Sequence, residues 1–178
     1  MSWLHALIQG LWIILPAYIA NGGAPVFGGG HRMDFGKEFR GNDLLGGGKT
    51  WEGFLFAIAS GVFIGLVQIL LWPQFNQITT GFGFSTPYMT ATLAFVLSLS
   101  AMLGDMVASF FKRRAGTERG TSIPLVDQLD FLVFSLPVAL VLSDMTYMSA
   151  ALIVFITPAV HYFFNLLAYY LGIKEVPW

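Results

Sequence analysis

Five stretches of this chain run for roughly the length of a membrane-crossing helix with almost no charge in them, and that pattern limits the fold more than any other feature. A hydrocarbon core needs about 20 largely apolar residues per helix. Residues 3–20, 51–72, 88–111, 129–142 (entered through a polar turn) and 149–171 meet that need to within a few residues. Composition agrees: 56% of the 178 residues are hydrophobic and 11% charged, with mean hydropathy +0.69, too apolar for a water-soluble domain of this size. The expectation is an all-α integral membrane protein with five transmembrane helices, residues 1–178 forming a single transmembrane domain. The first stretch lacks the positive n-region and small-residue cleavage site of a secretory signal, so it reads as a retained helix. With no cysteine, disulfides and thiolate metal sites are excluded. A net charge of −1 carries no message about nucleic acid, which is not among the expected partners.

The few charges are segregated. Of the nine Lys and Arg, four lie in 21–50, four in 112–119, and Lys174 follows the last stretch. With five spans these regions share a side, and the positive-inside rule puts them in the cytoplasm with the C-terminus, leaving the N-terminus outside. Asp144 is then the one charged side chain at the outer face, since 73–87 carries none. Residues 21–50, holding ten of the twenty glycines, read as a glycine-rich cytoplasmic loop without amphipathic period, and 112–126 as a basic one. Two such different loops argue against the inverted repeats of transporters.

Acidic and basic residues crowd between the third and fourth stretches. Asp127 and Asp130 are three apart and share one face at the start of the fourth helix. Asp105, Ser109 and Lys112 form one stripe at the end of the third. An aspartate costs roughly 2.5–3.5 kcal/mol at the centre of a membrane helix and less at its ends, so three of them need partners. Oxygen ligands without His or Cys suit Mg²⁺, held by Asp105, Asp127 and Asp130. The plainer reading is that Asp127 and Asp130 favour a helix N-terminus and pair with loop arginines, which leaves Asp105 unexplained. Lys112, Arg113 and Arg119, with Gly116 and Gly120 among them, suit a phosphate cradle, whereas Arg114 reads as a headgroup anchor. Residues 46–50, GGGKT, run into the second helix and suit an anion site, with Lys49 as its cation and Thr50 as N-cap. They do not make a P-loop, because Asp43 stands where its first glycine belongs and no strand precedes it; a glycine hinge is the alternative. Glu52 stays open between dipole partner and site residue. Asn21 to Pro25 close the first helix, with capping as the default for Asn21. His161 and Asn165 suit cross-helix hydrogen bonds, His5 the interface, and His31 carries no assigned role.

Together these residues resemble the CTP-dependent cytidylyltransferases that activate membrane lipid phosphates. Ser109, Lys112 and Arg113 match the family's S-x-x-K-R, Pro124 the proline of its P-G-H-G-G turn, and Asp127 and Asp130 the aspartates of its D-R-x-D. Glu118 and Arg119 stand where K-D falls in the bacterial enzymes, their H-G-G stretch is absent, and Gln128 replaces an arginine. These departures, with P-L-x-D-Q-L-D and the short chain, are similar to the archaeal branch, the CDP-archaeol synthases. The upstream elements through Asn21 and Pro25, and through Lys49, Thr50 and Trp51, fit that branch too; Gly47 stands where an acidic residue is common.

The resemblance implies a Mg²⁺-dependent transfer of the cytidylyl group of CTP to an isoprenoid ether lipid phosphate, digeranylgeranylglyceryl phosphate, with release of pyrophosphate. A lipid phosphate is already an anion near neutral pH and can attack without a dedicated base, so the task left to the protein is electrostatic. Asp105, Asp127 and Asp130 would hold the metal, with Lys112, Arg113 and Arg119 on pyrophosphate. Lys49 and the N–H groups of 46–50 would take another phosphate, and Asn21 with the backbone to Pro25 the cytosine or ribose. Expected partners are CTP, the lipid phosphate, membrane lipids and, left open, a second copy in a homodimer. The expected location is the cell membrane, with the active site, built from the two loops, on its cytoplasmic side. The alternatives are a CTP-dependent polyprenol kinase and a non-enzymatic ion or lipid carrier.

Overall fold

Four of the helices begin where a hydroxyl can cap them. Ser2, Thr50, Thr90 and Thr146 accept hydrogen bonds from the N–H groups of His5, Gly53, Leu93 and Ser149, satisfying donors that a helix start leaves unpaired. They open α1 (Trp3–Gly23), α2 (Trp51–Gly81), α3 (Ala91–Arg114) and α5 (Tyr147–Tyr170). The helix α4 (Val126–Leu142) starts differently, after Leu125 in the left-handed region (φ 66°) and without a side-chain cap. The computed structural model describes residues 2–24, 28–117, 121 and 123–172.

The four capped helices are long and apolar enough to cross a membrane. At 17 residues, α4 is about 25 Å long, and it carries Asp127 and Asp130 in its first turns, so the fourth expected span, 129–142, does not reach that standard. Three boundaries also differ from expectation. The first helix continues to Gly23, so Asn21 sits inside its last turn instead of ending it. The second continues to Gly81 through Pro73, where a loop was expected from 73 onward. The segment after it folds back: Trp72 Nε1 donates to Thr86 O (3.0 Å), Thr86 N to Asn76 Oδ1 (2.9 Å), and the Thr79 and Thr86 hydroxyls meet at 2.7 Å. The third continues to Arg114, so Lys112, Arg113 and Arg114 ride on its last turn, where cations offset the helix dipole. The glycine-rich segment is not wholly irregular, since β1 (Glu38–Phe39) and β2 (Asn42–Asp43) pair antiparallel; among the described residues the fold is otherwise helical apart from one isolated bridge in the same segment.

α3 is central, packing on α4, α1 and α2, while α1 also contacts α5. The core joins Ile13, Ile14 and Ala17 of α1 to Leu93, Ala94, Leu97 and Ala101 of α3, Phe131, Leu132 and Leu136 of α4, and Ile153 of α5. Polar side chains stitch the bundle. Gln68 donates to Trp12 O (2.6 Å), Gln9 to Asp144 O (3.0 Å) and Ser149 to Gln9 Oε1 (2.7 Å), bonds that replace those water cannot supply within a bilayer. Among the close approaches that leave no room for a Cβ, one on Gly61 would lie 2.0 Å from Ser98 Oγ, and one on Gly104 2.4 Å from Asp130 O. The second holds α3 against α4 beside Asp105 and Asp130. A cleft of about 310 Å³ opens at the other end of the bundle, between Trp12, Pro87, Tyr88 and Asp144, away from the cluster of carboxylates and cations.

Candidate functional site

The chain from His31 to Thr50 folds back on itself and lays its end against α3. Arg32 and Thr50 form an antiparallel bridge; Met33 N donates to Lys49 O (2.8 Å) and Trp51 N to His31 O (3.0 Å). Within this fold Asp34, 3% exposed, is surrounded by donors. Arg32 Nε and Nη2 reach it at 2.9 and 3.1 Å, and the N–H groups of Gly36, Leu45 and Gly46 at 3.0, 3.1 and 3.1 Å. Burial alone would push its carboxyl up, but the Arg32 guanidinium and the three amides outweigh that and hold it well below the usual carboxylate range. Arg32 also bridges to Asp43 at 2.9 Å.

Lys49 leaves this loop toward α3, where its Nζ meets Asp105 Oδ2 at 2.5 Å. Two turns on, Lys112 Nζ lies 2.8 and 2.9 Å from the two oxygens of Asp127 on α4, and Ile123 N–H donates to Asp127 at 3.0 Å. Both pairs are sheltered, their four side chains being 15–24% exposed. Asp130 is buried between them and accepts from Phe131 N–H (2.6 Å). The charges that bear on it are those of Asp105, Lys49 and Asp127. Arg113 lays its side chain along Gly46, whose added Cβ would sit 3.6 Å from Arg113 Cδ. Ser109 lies half-buried on α3 between Asp105 and Lys112.

The sequence-predicted residues Lys49, Asp105, Lys112, Arg113, Asp127 and Asp130 thus gather where the loop meets the end of α3 and the start of α4. Asn21 is not shown in contact with this cluster; it lies in the last turn of α1, which ends against the start of α2, where a Cβ on Gly53 would lie 2.9 Å from Ala24 O. Pro25 and Arg119 lie outside the described residues. Thr50 is the N-cap of α2, as expected. Two readings need correction. The 46–50 amides are not all open to an anion, for Gly46 N–H is spent on Asp34 and Lys49 N–H on Gly46 O. Arg114 is no headgroup anchor. It donates to Asp43 O (2.7 Å) and lies over the rings of Phe39 and Phe110, 5.2 and 4.4 Å from their centroids, where it pins the hairpin to α3.

Asp34 and the His31–Glu52 pair were missed. Glu52 accepts from His31 N–H (2.8 Å) and meets His31 Nδ1 at 2.6 Å. The one signal for Asp34 was a glycine two residues on, as in turns built on an aspartate side chain. His161 and Asn165 bond to each other along α5 (3.0 Å), and His5 stacks on Phe84.

Among the described residues no three carboxylate or imidazole groups converge as a closed metal site. The donor set is nonetheless all oxygen. It sits on two helices in backbone contact and is balanced by the ammonium groups of Lys49 and Lys112, which fits a hard divalent cation that shares its shell with a substrate.

An apolar helical bundle with paired carboxylates and ammonium groups at one end defines the class: a multi-pass helical membrane protein with a cluster of charges at one end of its bundle. A family model described as CarS-like, CDP-archaeol synthase, matches residues 3–178, and the chain belongs to that family. It is 43% identical over 173 residues to the CDP-archaeol synthase of Methanocaldococcus jannaschii, covering 97% of each chain. To that of Thermococcus kodakarensis it is 37% identical over 179 residues, the whole of both. It also resembles a solved structure described as an intramembrane enzyme for archaeal membrane lipids biosynthesis, with TM-score 0.75, 34% identity, and 89% of this chain and 94% of that one covered.

Proposed function

We propose that this chain is a CTP:lipid-phosphate cytidylyltransferase that converts digeranylgeranylglyceryl phosphate and CTP to CDP-archaeol and pyrophosphate for archaeal membrane phospholipids. The observation that carries the reading is the junction of Lys49–Asp105 with Lys112–Asp127, in a chain of the CDP-archaeol synthase family. A non-bridging oxygen of the lipid phosphate attacks the α-phosphorus of CTP. The bond from that phosphorus to the β-phosphate oxygen breaks, and pyrophosphate leaves with the electron pair. No proton need be removed, so the work is to let two polyanions approach in line. Lys49, Lys112 and Arg113 supply fixed positive charge for the triphosphate, and Ser109 a hydroxyl beside it. Asp105, Asp127 and Asp130 would hold Mg²⁺, which when bound neutralises phosphate oxygens. Asn21 would take the nucleoside end.

In the membrane the reading has five spans, α4 counted among them, the N-terminus outside, and the site and C-terminus in the cytoplasm. It is supported by the one-sided distribution of Lys and Arg. The test is to offer CTP labelled at the α-phosphorus to purified protein with an ether-isoprenoid phosphate or an ester-acyl phosphate. Label should enter extractable lipid with the former in a Mg²⁺-dependent way; no labelled lipid with either would refute the reading.

A further inference from the structure

We propose that Asp34 is a positioning residue for CTP: its buried carboxylate sets the 45–50 turn, and through that turn places Lys49 and the platform beneath Arg113 at the triphosphate. The inference rests on the cytidylyltransferase reading and names a residue outside the family's matched motif.

A carboxylate with no exposed side-chain surface is tolerated only where donors replace water. Asp34 has five: two from Arg32 and one each from the Gly36, Leu45 and Gly46 amides. Consecutive amides such as those of Leu45 and Gly46 form the kind of concavity that elsewhere receives an external anion. Here an internal carboxylate fills it. Gly46 stands at φ +93°, a conformation side chains other than glycine's rarely adopt, and its carbonyl accepts Lys49 N–H (3.1 Å). Met33, next to Asp34, donates to Lys49 O (2.8 Å). The chain of contacts therefore runs from Asp34 through Gly46 to Lys49, and from Lys49 Nζ to Asp105. Arg113 packs on the same Gly46. Among the described residues the donors to Asp34 all come from this loop, so its loss should disturb cation placement more than the bundle.

The experiment compares wild type with Asp34→Asn and Asp43→Asn as full-length chains in detergent. Asparagine keeps the shape of Asp34 but loses its charge and turns an NH₂ toward amides that need an acceptor. We expect the CTP KM to rise about tenfold or more while kcat and the lipid-phosphate KM stay within about twofold. Asp43→Asn, which removes only the outer brace of Arg32, should leave the CTP KM within about twofold of wild type. Labelling with an amine reagent, read by mass spectrometry, should modify Lys49 faster in Asp34→Asn. An unchanged CTP KM and unchanged Lys49 labelling would overturn the proposal. So would a fall in kcat and unfolding temperature at constant KM, which is the signature of a purely structural residue. If Asp34→Asn does not fold, Arg32→Gln, which leaves the three amides in place, should give an intermediate rise in KM, and no rise would be contrary. A wild type inactive with CTP would sink the functional reading instead, and the labelling comparison would still decide the placement of Lys49.

Discussion

Lys112 and Asp127 determine each other's cost of removal. Lys112→Met would leave Asp127 sheltered, with the Ile123 amide its one remaining donor among the described residues, and should lower unfolding free energy by about 1–3 kcal/mol. Adding Asp127→Asn should recover most of that stability, while activity stays lost; a denaturation cycle on the two singles and the double checks this. His31 offers a titration instead. The Glu52 hydrogen bond raises its pKa above the usual imidazole value, so the contact is fully present below about pH 6.5 and fades as pH rises through the raised value. Glu52→Gln should return the His31 midpoint, followed by imidazole NMR, to about 6.5. Asp34 has the opposite sign: its contribution is present above about pH 3.9 and is lost as pH falls through its depressed value. At this scale the helix-borne charges were legible, because helical spacing puts Asp105 with Lys112, and Asp127 with Asp130, on shared faces. Asp34 was not. Its amide partners lie up to twelve residues away in a glycine-rich segment without a period.

Gly104 fixes how α3 meets α4. Gly104→Ala would place a methyl 2.4 Å from the Asp130 carbonyl, so the helices must separate. The expected loss is about 1–3 kcal/mol in thermal or denaturant unfolding, together with reduced activity, because Asp105 and Asp130 flank that contact. Wild-type stability would show that the helices do not approach so closely. The ends of α1, α2 and α3 were harder to read than their apolar middles. Pro73 and the uncharged polar residues after it look like a loop, yet α2 continues because Trp72, Asn76 and Thr79 find partners at Thr86. The last turn of α3 was hidden by its own cations, which read as a basic loop until Arg114 is seen on Phe39, Phe110 and the Asp43 carbonyl.

For the whole molecule, the order of apolar stretches was legible because a bilayer imposes length and polarity together. The tertiary junction of a loop with two helix ends was not, since no periodicity encodes it. A cysteine-free chain makes orientation simple to test. A single cysteine at exposed Lys37 should resist an impermeant reagent applied outside sealed cells, whereas one at Asp144 should react; the reverse pattern would invert the proposed topology. The central claim is that the paired lysines and aspartates serve attack at the α-phosphorus of CTP. It is tested most directly by giving purified wild type and Asp127→Asn either α- or γ-labelled CTP with the ether-lipid phosphate and Mg²⁺. The account predicts α-label in lipid and γ-label in pyrophosphate for wild type, with both transfers lost in folded Asp127→Asn. Label from the γ-position in lipid, or undiminished α-transfer by the variant, would contradict it.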